Sequence, residues 1–163
     1  MTKNGILCET NGRRVCLDPK NADSTSVNFV SHAHSDHLPS KNGGTILSSI
    51  ETSEIANLRG FKMENNVQSI DDFSLIDSGH ILGAKGLLFD DIFYTGDICT
   101  RNRGFLKGAI VPKCRTLITE CTFGLPEFVF PKLEEIQKQV NELISELYGK
   151  GVPVILLGYQ LGK

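Results

Sequence analysis

The sequence predicts an α+β fold, and three observations carry that expectation. Short apolar and β-branched runs recur from residue 5 to residue 119, separated by Gly, Asn and Asp. The dipeptide Asn11-Gly12, which accommodates the positive φ angles of a type I′ turn, stands between the first two of them. The best helical periodicity, over 131–148, follows the strand signals rather than alternating with them.

Residues 5–10 (GILCET) and 13–18 (RRVCLD) flank the turn dipeptide, so the chain opens with a hairpin whose second strand ends at Asp18, ahead of Pro19. A carboxylate there either hydrogen-bonds a metal-ligating imidazole or forms a turn before proline. Residues 27–31 (VNFVS) read as a short strand, and 45–48 as another. Thr52 or Ser53 is expected to cap a brief helix ending near Gly60. Strands are expected over 66–70, 73–77, 85–89 and 92–95, then over 116–119 with Glu120 at its tip. In the helix, Ile136, Val140, Leu143, Ile144 and Leu147 share a face, Pro131 suits the first turn and Gly149 ends it. The segment 152–157 (VPVILL) is almost wholly apolar and reads as a buried strand.

One stretch carries the chemistry. HAHSDH uses three of the four histidines, His32, His34 and His37, and adds Asp36. If the backbone stays extended, His32 and His34 point the same way and can hold one ion, while Asp36 and His37 point elsewhere and suit a second. Imidazole with carboxylate fits zinc first, with manganese, iron or cobalt as further options. His80, in SGHILGAKG, sits among glycines that let the backbone approach something closely, and is a candidate ligand. Asp97 follows a strand behind Gly96, where a carboxylate can bridge two ions. Arg101 and Arg103 after it are either phosphate-binding forks or a solvated loop.

With 163 residues and 40% hydrophobic content the chain can bury a core, and one domain is the simplest expectation. A net charge of -2 means that nucleic-acid binding would need a local patch or metals. No run is long and apolar enough for a membrane helix, the N-terminus lacks a signal-peptide core, and the cytoplasm is the expected compartment. Five cysteines, Cys8, Cys16, Cys99, Cys114 and Cys121, include no C-x-x-C pair and read as small buried hydrophobes.

HAHSDH, followed by glycine-flanked His80 and by Gly96-Asp97, resembles the metallo-β-lactamase superfamily. The segments ITECTFGLPEF and VPVILLGYQLGK narrow the likeness to its β-CASP nucleases, the mRNA 3′-end processing and DNA cross-link repair group with their exonuclease relatives. That resemblance implies the N-terminal part of an αββα sandwich over 1–125, and the first helix and strand of a β-CASP insertion over 126–163. It implies two Zn²⁺ ions (Mn²⁺ or Fe²⁺ as alternatives): His32, His34 and His80 on one, Asp36 and His37 on the other, and Asp97 bridging. Asp18 would orient a ligand, Glu120 would match the first acidic motif of the group, and Asp36, Asp97 and Glu120 would be the catalytic carboxylates.

The implied reaction is phosphodiester hydrolysis in RNA or single-stranded DNA. In the family a further histidine completes the second metal site, and this sequence has no fifth histidine. The second site is therefore expected to be incomplete in one chain. The readings are a truncated chain, a split gene product, or a subunit completed by a homo-oligomer or a C-terminal partner. Two other classes compete: a small-ester or thioester hydrolase of the lactonase or glyoxalase kind, and a non-catalytic metal-binding interaction subunit.

Overall fold

A computed structural model describes residues 5–158 and 161. The architecture is α+β, with two sheets and two helices among the described residues, and the chain divides into a unit of Met1–Glu120 and a smaller one of Cys121–Leu161.

The first sheet has the order β1(Ile6–Thr10), β2(Arg13–Leu17), β3(Val27–Phe29), β4(Ile46–Leu47) and β5(Asn66–Val67). The opening hairpin is antiparallel with Thr10 opposite Arg13, and Asn11 and Gly12 take φ of 48° and 73°, as a type I′ turn requires. From β2 to β5 neighbouring strands are parallel, so β2 and β3 end at the same edge. The second sheet has the order β6(Ser74–Asp77), β7(Lys85–Phe89), β8(Ile92–Tyr94) and β9(Thr116–Ile118), with β8 and β9 parallel. The two sheets share a core of Val15, Leu17, Phe29 and Leu47 from the first with Leu87, Phe89 and Tyr94 from the second. Phe29 meets the Tyr94 ring edge-on at 6.2 Å, which locks β3 to β8.

Several boundaries differ from expectation. The strand expected over 66–70 pairs only at Asn66–Val67, and Ile70 packs on the core instead, because Asp72 turns the chain at φ 66°. Helix α1(Ile50–Leu58) begins earlier than Thr52 or Ser53 would allow, since Ser49 is the cap and accepts from the Thr52 N–H at 3.1 Å. Its end near Gly60 is as expected, with Gly60 at φ 87°. Of the five cysteines only Cys16 is buried, and Cys121 is exposed, so the expectation of buried hydrophobes holds for that one alone.

In the smaller unit, α2(Leu133–Gly149) ends at Gly149 as expected, with a left-handed residue following at Gly151, φ 70°, but it starts later than expected, because Lys132 is the cap and Pro131 lies before the first turn. Segment 152–157 is not a buried strand. It pairs with no strand among the described residues, and Leu157 is 93% exposed. An apolar run acquires strand structure only where another strand satisfies its backbone groups. In the GYQLGK segment, Tyr159, Gln160, Gly162 and Lys163 lie outside the described residues.

Candidate metal centre

The candidate residues gather where β2, β3, β8 and β9 end. Asp18 follows β2, the histidine motif follows β3, Asp97 follows β8 and Glu120 follows β9. His32 is fully buried.

The motif is not extended as expected. The backbone bends at Ala33, and the His37 N–H donates to the His34 carbonyl at 3.1 Å in a tight turn. His32 and His34 converge nonetheless, because His34 turns its near nitrogen inward: His32 Nε2 lies 2.9 Å from His34 Nδ1. His80 joins them from 46 residues away, with Nε2 at 3.2 Å from the same Nδ1. Asp97 Oδ2 stands 3.3 Å from His80 Nε2 and 3.7 Å from His32 Nε2. Among the described residues His32, His34, His80 and Asp97 form a group whose donor atoms all lie within 4.8 Å of one another.

The donor set fits a metal ion on its own chemistry. A tetrahedral ion about 2.0–2.1 Å from each ligand needs donors roughly 3.3–3.4 Å apart. Four of the six donor separations, 2.9, 3.2, 3.3 and 3.7 Å, straddle that value, and all six lie within 4.8 Å. Three ring nitrogens aimed at one point are poorly matched to one another as hydrogen-bond partners, because a shared proton serves only one pair at a time. A cation resolves that conflict.

Asp97 also faces the other way. Its Oδ1 lies 3.4 Å from His37 Nε2, and Asp36 Oδ2 lies 3.7 Å from the same nitrogen. Asp36 and His37 thus adjoin the first group through Asp97, with Asp36 largely exposed. His37 Nδ1 contacts Asp18 Oδ2 at 2.7 Å, which leaves Nε2 directed at the two carboxylates.

Electrostatics divide the histidines. Burial, then the neighbouring His37, His80 and His34, pushes His32 down to about 2. Burial, then His34 and Arg103, takes His80 down to about 4. Both are neutral at pH 7 and offer lone pairs. Burial opposes a charge on His37 as well, but the Asp18 hydrogen bond and the charges of Asp18, Asp97 and Asp36 prevail and raise it to about 9. Positive charge is therefore favoured where His37 Nε2 faces its carboxylates. Asp97 is raised by burial first, with His37 opposing.

The supports are close backbone approaches. A Cβ on Gly79 would fall 2.3 Å from the Cys99 carbonyl, so the loop carrying His80 needs glycine there. Ser49 Oγ, at the cap of α1, and Thr52 Oγ1 within it donate to the Gly83 carbonyl at 2.6 and 3.0 Å and fix the other end of that loop. Glu120 Oε1 accepts the Ile98 N–H at 3.0 Å and so anchors the residue after Asp97. Arg103 donates to the carbonyls of Gly79 and His80, while Arg101 is exposed. Arg59, at the end of α1, donates to the carbonyl of Ala33 between two histidines.

Sequence reasoning missed Ser31, Tyr94 and Arg59. Ser31 adjoins the motif and could have been found as its nearest polar neighbour; Tyr94 and Arg59 carry no local signal.

No family model matches the chain. Over 149 residues it is 30% identical to a probable DNA ligase of Opitutus terrae, covering 83% of this chain and 15% of the ligase. Over 100 residues it is 30% identical to the transcription termination factor FttA of Methanocaldococcus jannaschii, covering 55% of this chain and 16% of the factor. An RNase J-like protein of the same organism is also 30% identical over 100 residues, covering 56% of this chain and 23% of that protein. The chain thus spans between 15% and 23% of the length of these curated relatives. No helix of the described residues is long and apolar enough to cross a membrane.

Proposed function

We propose that this chain is part of a metallo-β-lactamase-superfamily nuclease of the β-CASP group, a dinuclear zinc phosphodiesterase acting on RNA or single-stranded DNA. The observation that carries the reading is the convergence of His32, His34, His80 and Asp97 on one point. The relatives' names, which speak of DNA, transcription and RNA, favour a nucleic acid over a small ester as substrate.

His32 Nε2, His34 Nδ1 and His80 Nε2 would hold the first ion, Asp36 and His37 Nε2 the second, and Asp97 would face both. When bound, two such ions supply an activated water and neutralise charge developing on phosphate. Asp36, exposed beside His37, would serve as the proton acceptor of such a centre. Asp18 fixes the ring of His37, and Glu120 fixes the backbone after Asp97. The smaller unit would begin the β-CASP insertion, and a partner or further chain would complete the second site.

Metal content and hydrolysis test this together. Purified protein should retain zinc and, once the partner or further chain that completes the second site is supplied, cleave labelled single-stranded RNA or DNA, with cleavage lost in His80→Ala and Asp97→Ala. Bound zinc with turnover of lactones and none of nucleic acid would overturn the substrate; protein that takes up no zinc would overturn the site.

A further inference from the structure

Resting on the metal reading above, we infer that Ser31 is a positioning residue that sets the tautomer of His32, so that one carboxylate, Asp18, orients imidazoles in both halves of the centre. Ser31 is buried and stands between Asp18 and His32. Its hydroxyl donates to Asp18 Oδ2 at 2.7 Å, and its N–H donates to Asp18 Oδ1 at 2.7 Å. The same Oγ lies 2.9 Å from His32 Nδ1.

A serine has one hydroxyl proton. Because that proton points at the carboxylate, the oxygen can only accept from His32, and Nδ1 must carry the ring's hydrogen. Nε2 is then the bare nitrogen, and Nε2 is the atom that faces His34 and Asp97. Asp18 does the same to His37 without an intermediary, accepting a hydrogen bond from its Nδ1–H at 2.7 Å. One carboxylate therefore directs the Nε2 lone pairs of two imidazoles, one through a serine and one directly. Tyr94 Oη donates to Asp18 Oδ2 at 2.7 Å and holds the carboxylate in place.

The position is fitted to serine. A Cβ on Gly96 would fall 2.6 Å from Ser31 Cβ and 2.8 Å from its Oγ, so the chain at Gly96 closes directly over the hydroxyl.

The test compares wild type with Ser31→Ala, which removes one oxygen and adds no bulk, in zinc affinity by competition with a chelator and in the visible spectrum of the cobalt-substituted protein. Loss of a hydrogen bond to a ligating imidazole typically costs 10–100-fold in metal affinity, and that loss is expected at the first ion, with an altered cobalt spectrum. Long-range ¹H–¹⁵N spectra of the zinc-loaded wild type should show His32 protonated at Nδ1. Unchanged affinity and spectrum in Ser31→Ala, or a His32 protonated at Nε2, would overturn the inference. Absence of zinc from the wild type would instead overturn the metal reading beneath it. Thermal melts of the two proteins would separate misfolding from this effect, and a variant that fails to fold leaves the His32 tautomer in wild type as the deciding observation.

Discussion

Tyr94 Oη reaches Asp18 Oδ2 at 2.7 Å across the two sheets, from the last residue of β8 to the first residue beyond β2. The two residues are 76 positions apart, and Asp18 sits at φ 44°, a left-handed conformation in which its side chain turns toward the centre. Burial first, then Asp18, raises the Tyr94 hydroxyl well above its ordinary value, so it stays a donor throughout the physiological range. Tyr94→Phe removes a charge-assisted hydrogen bond, typically worth about 1.5–3 kcal/mol. The expected loss of stability is in that range, read from urea denaturation; a loss below roughly 0.5 kcal/mol would show that Asp18 is held by its other donors alone.

Acid should unfold the zinc-stripped protein more readily than base. His32 and His80 have folded values of about 2 and 4, below the ordinary 6.5, so the unfolded chain binds more protons there. Their contribution is present above pH 6.5 and is lost as pH falls toward those values. His37 works the other way: raised to about 9, it stabilises fully below pH 6.5 and loses that contribution as pH climbs through 9. Denaturation midpoints at pH 4, 7 and 10 should fall on both sides of neutrality. Substituting His37→Gln should flatten the alkaline side and, because His37 also helps hold His32 down, soften the acid side in part.

Gly96→Ala should damage the centre without touching a ligand. Gly96 takes φ 56°, and an added Cβ would collide with Ser31 and shift Asp97 next to it. Zinc affinity should fall at least about 10-fold, the scale of a displaced supporting group. Wild-type affinity in this variant would mean that Ser31 and Asp97 tolerate movement.

The two halves of the centre should separate by mutation. Asp36 is largely exposed and lies outside the group of four donors, whereas His80 belongs to it. Asp36→Ala should keep the tighter-bound zinc and His80→Ala should lose it, as measured by elemental analysis after dialysis. Equal loss in both would mean that the ions bind only as a pair.

Local features were the legible ones. Asn11-Gly12 announced its turn, and His32 and His34 of the motif converge with His80 and Asp97. Each signal lies in a few adjacent residues. Segment 152–157 misled because apolar content says that a run should be buried, but only a neighbouring strand makes it one. The cap of α1 was misplaced because Ser49, Thr52 and Ser53 are all competent, and the choice falls to Ser49 through its contact with Gly83, 34 residues on. Tyr94 and Arg59 escaped for the same reason, since their partners are set by the tertiary fold.

Arg103 is not the solvated-loop residue that the sequence offers as the alternative to a phosphate-binding fork, because its guanidinium is engaged by backbone carbonyls. A phosphate-binding arginine would contact substrate, and its loss would raise KM while leaving metal binding alone. In the fold its guanidinium donates to the carbonyls of Gly79 and His80, and its Nε is buried with no partner. The group that holds a ligand's backbone is poorly placed to hold phosphate as well. Arg103→Ala should therefore weaken zinc binding by about 10–100-fold through a displaced His80 ring, whereas exposed Arg101→Ala should leave it unchanged. Arg103→Lys supplies one charge without the planar fork and should recover only part of the affinity. Full zinc affinity in Arg103→Ala, with KM raised for a nucleic-acid substrate, would return this residue to the phosphate.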